Sequence, residues 1–376
     1  MEKFKFYIKR KLIDLLKLSK NYRKQSYLPA GAIGFVQLSA QYPVLFLSEH
    51  KAVDRKSPVT IGKMHTQFAK MMHTPPEKTF VTTGKSWRVW GNQGAVITDK
   101  NELFVDVSRE FYNKTHSIFN QFKLIEPEEL SGQTAVLAAS GGTVYYHWMF
   151  DILPRISFLK QSGGFDKIDY FIINCIPDKY QTETLERAGI DAAKIIRSNN
   201  HWNFHIKAEN LIVPSLVSPM DCPSLEACLY LRQLYTSEIE KAGASTKIYI
   251  QRLTGRKVIN EDELLDYLKP LNFEVVNPEK LSVAEQAEIF GSADIVIGPH
   301  GAGLTNIVFC KPGTMVIDLF AAEWVNPCYW IIAEHLNLKY GYLAGDKELK
   351  QKDSGKGVDI PVDIIKLKKL FAELNK

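Results

Sequence analysis

The chain has 376 residues, 45% hydrophobic and 24% charged, a globular composition that excludes collagen-like, disulfide-dense and wholly disordered chains. Its formal charge is +5, but residues 1–24 hold seven Lys and two Arg against Glu2 and Asp14, 9 − 2 = +7, which leaves 5 − 7 = −2 for the rest. A nearly neutral body with one basic arm excludes a nucleic-acid binder with a broad positive face, so no nucleic-acid partner is expected.

The arm comes first along the chain. Phe4, Ile8, Leu12 and Leu15 fall at helical spacing, with Lys5, Lys9, Arg10 and Lys17 around the rest. This pattern predicts an amphipathic basic helix over 1–24, either docked on its own domain or adsorbed to an anionic membrane surface. Charges at Lys9, Arg10, Lys11 and Asp14 interrupt a signal-peptide core, and the uncharged stretch 25–48 contains Pro29 and Pro43, which spoils it as a membrane span. The expected location is cytoplasmic, peripheral on the inner face of the cell membrane if the arm binds lipid. Five cysteines without a CxxC pair (Cys175, Cys222, Cys228, Cys310, Cys328) read as reduced, buried apolar residues.

From 27 to about 120 the pattern is one of short β-rich runs, 79–83, 94–98 and 102–107, separated by turns. From 133 strands and helices alternate: strand 134–139, helix 148–161, strand 170–174, helix 180–188, strands 194–197 and 210–214, and one long helix 224–241. The turn-like run 242–246 marks the boundary between a first domain, 25–242, and a second, 243–376. The second half continues with strand 247–251, helix 261–268, strand 273–276, helix 283–290, strand 294–297, short helix 303–310, strand 314–318, helix 328–336, strand 340–343 and helix 362–374. Such repetition predicts an α/β fold with a parallel, doubly wound sheet, and helix 362–374 is expected to pack back onto the first domain.

Sheets of this kind bind ligands at the carboxyl ends of their strands, which here carry Arg252, the turn 298–303 and Asp318. The turn reads Gly298-Pro299-His300-Gly301-Ala302-Gly303. Glycines let the backbone approach a ligand, and free N–H groups at a helix start favour an anion; the same glycines also suit tight strand–helix packing. Its G-x-x-G-x-G spacing is neither the dinucleotide fingerprint nor a P-loop. Arg252 and Arg256 have planar donor forks that match a diphosphate, or they are loop surface charge. Asn260 with Glu263 reads as a helix cap, and Asp318 as a ribose ligand or a solvated carboxylate.

In the first half the dense stretch is 145–155. On a helix His147, Asp151 and Arg155 share one face, although Pro154 puts that geometry in question. An imidazole beside a carboxylate is a general base, or a His–Asp pair that only ties a helix down.

Together, Tyr146-His147-Trp148-x-x-Asp151-x-Leu153-Pro154-Arg155, Arg252-x-x-x-Arg256-x-x-x-Asn260-Glu261 and Gly298-Pro299-His300-Gly301-Ala302-Gly303-Leu304-Thr305-Asn306 strongly resemble glycosyltransferase family 61, in its bacterial capsular-polysaccharide-biosynthesis-like branch. The resemblance spans roughly 130–345. It implies a GT-B arrangement, with two Rossmann-like domains facing across a cleft, the β-rich portion lying in the first. It also implies inverting, metal-independent transfer from a UDP-sugar to a glycan or lipid-linked glycan acceptor, without a cofactor. In that scheme His147 and Asp151 are catalytic. Arg252, Arg256, Asn260, Glu261, Pro299, His300, Gly301, Ala302, Gly303, Asn306 and Asp318 hold the nucleotide-sugar, while Tyr146, Trp148 and Arg155 face the acceptor. The chain has no Asp-x-Asp pair of the kind a metal-dependent GT-A enzyme uses. A non-catalytic nucleotide-sugar- or glycan-binding protein is the alternative, and a Rossmann oxidoreductase a weaker one.

Overall fold

A computed structural model of the chain describes residues 26–111, 115–199, 203–219, 221–241, 243–344 and 358–376. The expected helix over 1–24 lies outside the described residues, as does residue 242 at the expected boundary. The chain divides into two compact units. One runs to Ser48 and resumes over Lys78–Leu216; the other joins Glu49–Glu77 to Val217–Lys376. The break therefore falls at Leu216 and Val217 rather than at 242/243, and an excursion from the N-terminal half belongs to the second unit.

The first unit is built on a ten-stranded sheet. Four strands run parallel in the spatial order His205–Pro214, Glu128–Val136, Tyr170–Ile173 and Ile195–Arg197. Glu77–Lys85 and Arg88–Trp90 pair antiparallel with His205–Pro214, and the meander continues through Ala95–Ile97 and Glu102–Phe104. This meander is the β-rich portion read from the sequence. Phe80, Trp87, Phe104 and Leu211 are among the buried residues of its core. Glu128–Val136 comes first in the chain among the four parallel strands yet lies between the second and the fourth. Its carboxyl end is thus a topological switch point, where the chain's outgoing connections diverge and leave a crevice.

The second unit carries a six-stranded, all-parallel sheet in the order Phe273–Val276, Thr246–Ile250, Ala293–Pro299, Met315–Leu319, Lys339–Leu343 and Val59–Thr60. Its five strands from the second half follow the doubly wound 2-1-3-4-5 order, whose switch point lies between Thr246–Ile250 and Ala293–Pro299. The sixth strand comes from the excursion, which Phe68 anchors: its ring stacks on Tyr342 at 4.2 Å and meets Trp330 edge-on at 5.6 Å.

Three expected helices differ. The stretch 224–241 is two helices, Leu225–Leu234 and Thr236–Glu240, because buried Tyr235 leaves helical geometry and packs its ring on Phe309 at 5.4 Å. The short helix after the glycine turn is a 3₁₀ helix, Ala302–Phe309, unusually long for its type. The C-terminal helix Ile364–Leu374 buries Leu367, Leu370 and Leu374 in the second unit's own core, with Leu370 and Leu374 close against Gly341, rather than serving the first domain.

Candidate functional sites

The first site grows from the loop after Glu128–Val136. Gly141 turns the chain with φ +75°, and a Cβ there would lie 2.6 Å from His147 Cδ2, so the glycine makes room for the imidazole. His147 Nδ1 and Asp151 Oδ2 are 2.7 Å apart, with the ring packed against Phe111 at 4.8 Å. Both side chains keep contact with solvent, 16% and 22% exposed, which leaves the imidazole reachable from outside.

The helix carrying them is not uniformly α. Trp148–Ile152 forms a π turn, with Leu153 N–H donating to the Trp148 carbonyl at 3.0 Å, before the α-helix Pro154–Gln161. Proline has no N–H and its ring collides with the carbonyl four residues back, and an i→i+5 turn relieves both problems without ending the helix. The extra residue also rotates the α-helix beyond it, so His147 and Asp151 meet while Arg155 points inward.

Arg155 is buried and donates to the carbonyls of Leu137 (2.8 Å) and Val136 (3.2 Å) after one strand, and of Pro214 (2.8 Å) and Ser215 (3.2 Å) after another. Burial works against its charge and Asp151 supports it. Its guanidinium thus ties two adjacent strand ends beneath His147, a supporting role in place of the acceptor contact expected. Trp148 is fully buried, with Nε1 donating to Thr184 at 2.8 Å, and Tyr146 is buried edge-on to His147. None of these three lines an open acceptor surface. Two residues the sequence reading missed shape the loop instead: Asn174 clamps Ala139 through both its amide atoms, and Gln181 donates to the Gly142 carbonyl at 2.9 Å. The adjacent glycines Gly141 and Gly142 were the available signal.

The second site lies at the other switch point, where the Arg252 loop and the glycine turn meet. A Cβ on Gly301 would fall on Arg252 Nη1, well inside contact distance, and Cβ atoms on Gly298 and Gly303 would each come within 2.9 Å of Ile250. The outer two glycines thus serve strand–helix packing, while Gly301 admits the guanidinium. Arg252 Nε donates to the Gly255 carbonyl at 2.9 Å, while Nη1 has no acceptor among the described residues. Burial, and next the charge of Arg256, lower the guanidinium's hold on its proton. Two crowded cations favour an anion between them. Gly255 and Arg256 both have positive φ, and Arg256 lies 6.0 Å from the Trp324 ring centroid. The first internal bond of the 3₁₀ helix runs from Leu304 N–H to the Gly301 carbonyl at 2.9 Å, which leaves the N–H groups of Ala302 and Gly303 without acceptors among the described residues.

His300 is buried at the centre of the turn. The ladder sets Gly298 opposite Asp318, so His300, two residues on, reaches back: its Nδ1 lies 3.0 Å and 3.3 Å from the Asp318 oxygens. Tyr340 OH donates to the same carboxylate at 2.9 Å. Phe320 stacks on the imidazole at 4.5 Å, and Tyr329 lies 5.0 Å from it while its hydroxyl donates to the Gly301 carbonyl at 2.7 Å. Asp318 is fully buried, so it holds His300 and is not exposed to a ribose. Tyr340, Phe320 and Tyr329 were not singled out in the sequence. Its place on an apolar strand buried on both faces was the one signal for Tyr340.

Two more expected ligands act internally. Asn306 is buried, donating to Gln286 and to the Gly303 carbonyl at 3.2 Å. Asn260 pairs with the backbone of Val362 through both amide atoms, at 2.8 and 3.0 Å, and donates to Glu263 at 2.8 Å. Glu261 accepts from Tyr249 OH at 2.7 Å and Gln251 at 3.0 Å, and Pro299 is buried at its strand end. Among the described residues, no three His, Cys, Asp or Glu side chains gather into a group able to hold a metal ion, and no helix is long and apolar enough to cross a membrane.

The second unit is thus α/β, with two guanidinium groups and the glycine turn gathered at its switch point. Residues 145–317 match the family model for Glycosyltransferase 61. The matched span includes His147, Asp151, Arg252, Arg256 and the glycine turn, while Asp318 and Tyr340 lie just beyond it. It is similar to an EGF domain-specific O-linked N-acetylglucosamine transferase of Drosophila melanogaster, 36% identical over 24% of this chain and 18% of that protein. A beta-1,2-xylosyltransferase of Arabidopsis thaliana is 30% identical over 22% and 18%. An alpha-1,3-arabinosyltransferase of Oryza sativa subsp. japonica is 31% identical over 25% and 17%. The matched stretch thus spans less than a fifth of each of these relatives.

Proposed function

We propose that this chain is an inverting, metal-independent glycosyltransferase that moves a sugar from a UDP-sugar to a hydroxyl of a glycan acceptor, with the two units in a GT-B arrangement. The observation that carries the reading is the Arg252 guanidinium seated on Gly301 at the switch point, its Nη1 without an acceptor among the described residues. Arg252, Arg256 and the N–H groups of Ala302 and Gly303 hold the diphosphate. As the acceptor oxygen bonds to the anomeric carbon, the bond from that carbon to the β-phosphate oxygen breaks and its electron pair leaves with UDP. The acceptor proton passes to His147, whose Nδ1 faces the Asp151 carboxylate, so that the carboxylate steadies the protonated ring. Donors aimed at developing charge are worth about 3 kcal/mol each in such sites.

The relatives are named for transfer of three different sugars, so the donor sugar is set outside the shared motifs. A glycan or lipid-linked glycan acceptor is part of the same proposal. The +7 charge of residues 1–24 supports adsorption to the inner, anionic face of the cell membrane. Deleting 1–24 is expected to abolish co-sedimentation with anionic liposomes; unchanged sedimentation contradicts that placement.

The test is UDP release from a panel of UDP-sugars in the presence of EDTA, with and without glycan acceptor. Acceptor-dependent release from at least one donor is expected. No release from any donor together with no UDP binding contradicts the reading, and release that EDTA abolishes contradicts its metal-independent part.

A further inference from the structure

A pocket in the first unit lies outside both sites. Its volume is about 580 Å³, within the range of small-molecule sites and enough for a ligand of about two sugar rings. Tyr27, Arg88, Asp99, Glu126, Glu129 and Lys207 are among the residues that line it. It forms where the strands Arg88–Trp90, Glu128–Val136 and His205–Pro214 begin. The ladders set Lys207 opposite Arg88 on one side and opposite Glu129 on the other, so the three side chains form a row on one face of the sheet. From this row the strand Glu128–Val136 runs roughly 20 Å to the loop of His147, which separates the pocket from the His147–Asp151 pair.

The lining holds idle donors. Arg88 is only 8% exposed. Its Nη1 donates to the Tyr27 carbonyl at 2.8 Å and to His205 Nε2 at 3.3 Å, and its Nη2 donates to Asn101 Oδ1. No carboxylate pairs with it among the described residues, whereas the neighbouring cation, Lys207, is paired with Glu129 at 2.9 Å. Burial pushes the Arg88 guanidinium down to about 10. Its Nε–H and second Nη2–H have no acceptor among the described residues, and a buried charge in that state favours a ligand that supplies acceptors. Acceptors are idle too. Asp99 takes both Tyr42 OH, at 2.7 Å, and Trp87 Nε1, at 3.2 Å, on Oδ1, so Oδ2 accepts from none of the described residues. Exposed Glu126 faces the Tyr27 hydroxyl, a single donor for a carboxylate that can accept about four.

Three carboxylates and two cations nearly balance in this lining, so it matches neither a bare anion nor a metal ion. Hydroxyl groups both donate and accept, which is what interspersed carboxylates and guanidinium donors require. Tyr27 adds an aromatic ring with a polar tip, a side chain suited to a ligand that is apolar on one side and polar at its edge. We propose that this pocket is a saccharide-binding site that takes a neutral sugar of about two rings, with hydroxyls donating to Asp99 and Glu126 and accepting from Arg88. The ligand class rests on the lining alone. Its use in transfer rests on the glycosyltransferase reading: there the pocket holds a part of the acceptor remote from the reacting hydroxyl, and a tether at one end of a chain raises the effective concentration of the other end.

Saturation-transfer NMR of the full chain with cellobiose, maltose, lactose and N,N′-diacetylchitobiose at millimolar concentration, without UDP, tests the proposal. Inorganic phosphate and calcium serve as the anion and cation probes. At least one disaccharide is expected to bind, and neither ion to displace it. Glu126→Ala is expected to weaken that binding about tenfold, the worth of a hydrogen bond to a charged group. Arg88→Gln is expected to weaken it at least as much. Because Arg88 also holds Tyr27 and Asn101, a thermal melt accompanies that variant, and Glu126→Ala decides if it does not fold. His147→Ala, at the other end of the strand, is expected to keep the parent affinity for the sugar. Binding of none of the four disaccharides, displacement of the sugar by phosphate or calcium, or affinity that His147→Ala removes and Glu126→Ala leaves intact overturns the proposal. Sugar binding that Glu126→Ala weakens, in a chain that releases UDP from no donor, upholds the pocket and overturns only the transferase reading.

Discussion

An added methyl at Gly301 would displace the Arg252 guanidinium that the reading places against the diphosphate, yet Gly301 has extended backbone that any residue adopts. Gly301→Ala is therefore expected to weaken UDP binding at least tenfold while lowering the melting temperature little; calorimetry and a thermal melt together separate this from a packing role, in which stability falls and affinity holds. His147 and Asp151 make the complementary case in the first unit. His147→Ala and Asp151→Asn are each expected to lower kcat by about 10²–10⁴-fold, the usual worth of a general base, with UDP affinity nearly intact. Unchanged turnover in both removes the base assignment. The residues proposed for this chemistry stood out because catalysis requires particular atoms at a turn or a helix face, which leaves a mark in a single sequence. Their supports were harder to see. Arg155 read as facing the acceptor from the His147 face, because helical spacing takes no account of the π turn that relieves Pro154. Asp318 looked like a strand-end ligand, because nothing local announces that Tyr340 and His300 will bury it.

At the scale of elements, the second half was read closely, with helix Glu261–Leu268 and strand Phe273–Val276 matching their expected limits. Apolar strands buried on both faces alternate there with amphipathic helices, and that contrast is the strongest pattern a sequence offers. Strand Glu128–Val136 was expected only from 134, since its first residues include exposed Glu128 and Glu129 and its pairing slips between Leu130 and Gln133, around Gly132 at φ +85°. The excursion Glu49–Glu77 was invisible, because a two-residue strand and a five-residue helix leave no periodicity. Its attachment depends on Phe68, which stacks on Tyr342 and approaches Phe320, the ring that covers His300. Phe68→Ala is expected to cost about 3–5 kcal/mol of stability and to weaken UDP binding through the loosened His300 shelf. Denaturant unfolding with and without UDP checks both effects; a stable variant with parental affinity contradicts the coupling.

Over the whole molecule, two units each place one cluster at a switch point: a His–Asp pair in the first, and an arginine pair with a glycine turn in the second. Under the proposed function this division separates proton transfer from leaving-group stabilisation, two tasks that want opposite charge. The second unit gathers cations and the first pairs its imidazole with a carboxylate. Length and pattern suggest two domains divided near 242, whereas the two compact units divide at 216/217 with 49–77 joined to the second. Domain boundaries are set by which core an element joins, and the helix Leu225–Leu234 joins the second through Arg232, whose Nη1 donates to the Val308 and Cys310 carbonyls at 2.8 and 2.7 Å. The claim on which the rest depends is that the nucleotide's diphosphate sits at the second unit's switch point. A crystal structure of the chain with UDP tests it most directly. The account predicts phosphate oxygens within hydrogen-bond reach of Arg252 Nη1 and the Ala302 and Gly303 N–H groups; UDP bound elsewhere, or bound without touching Arg252 and the glycine turn, would contradict it.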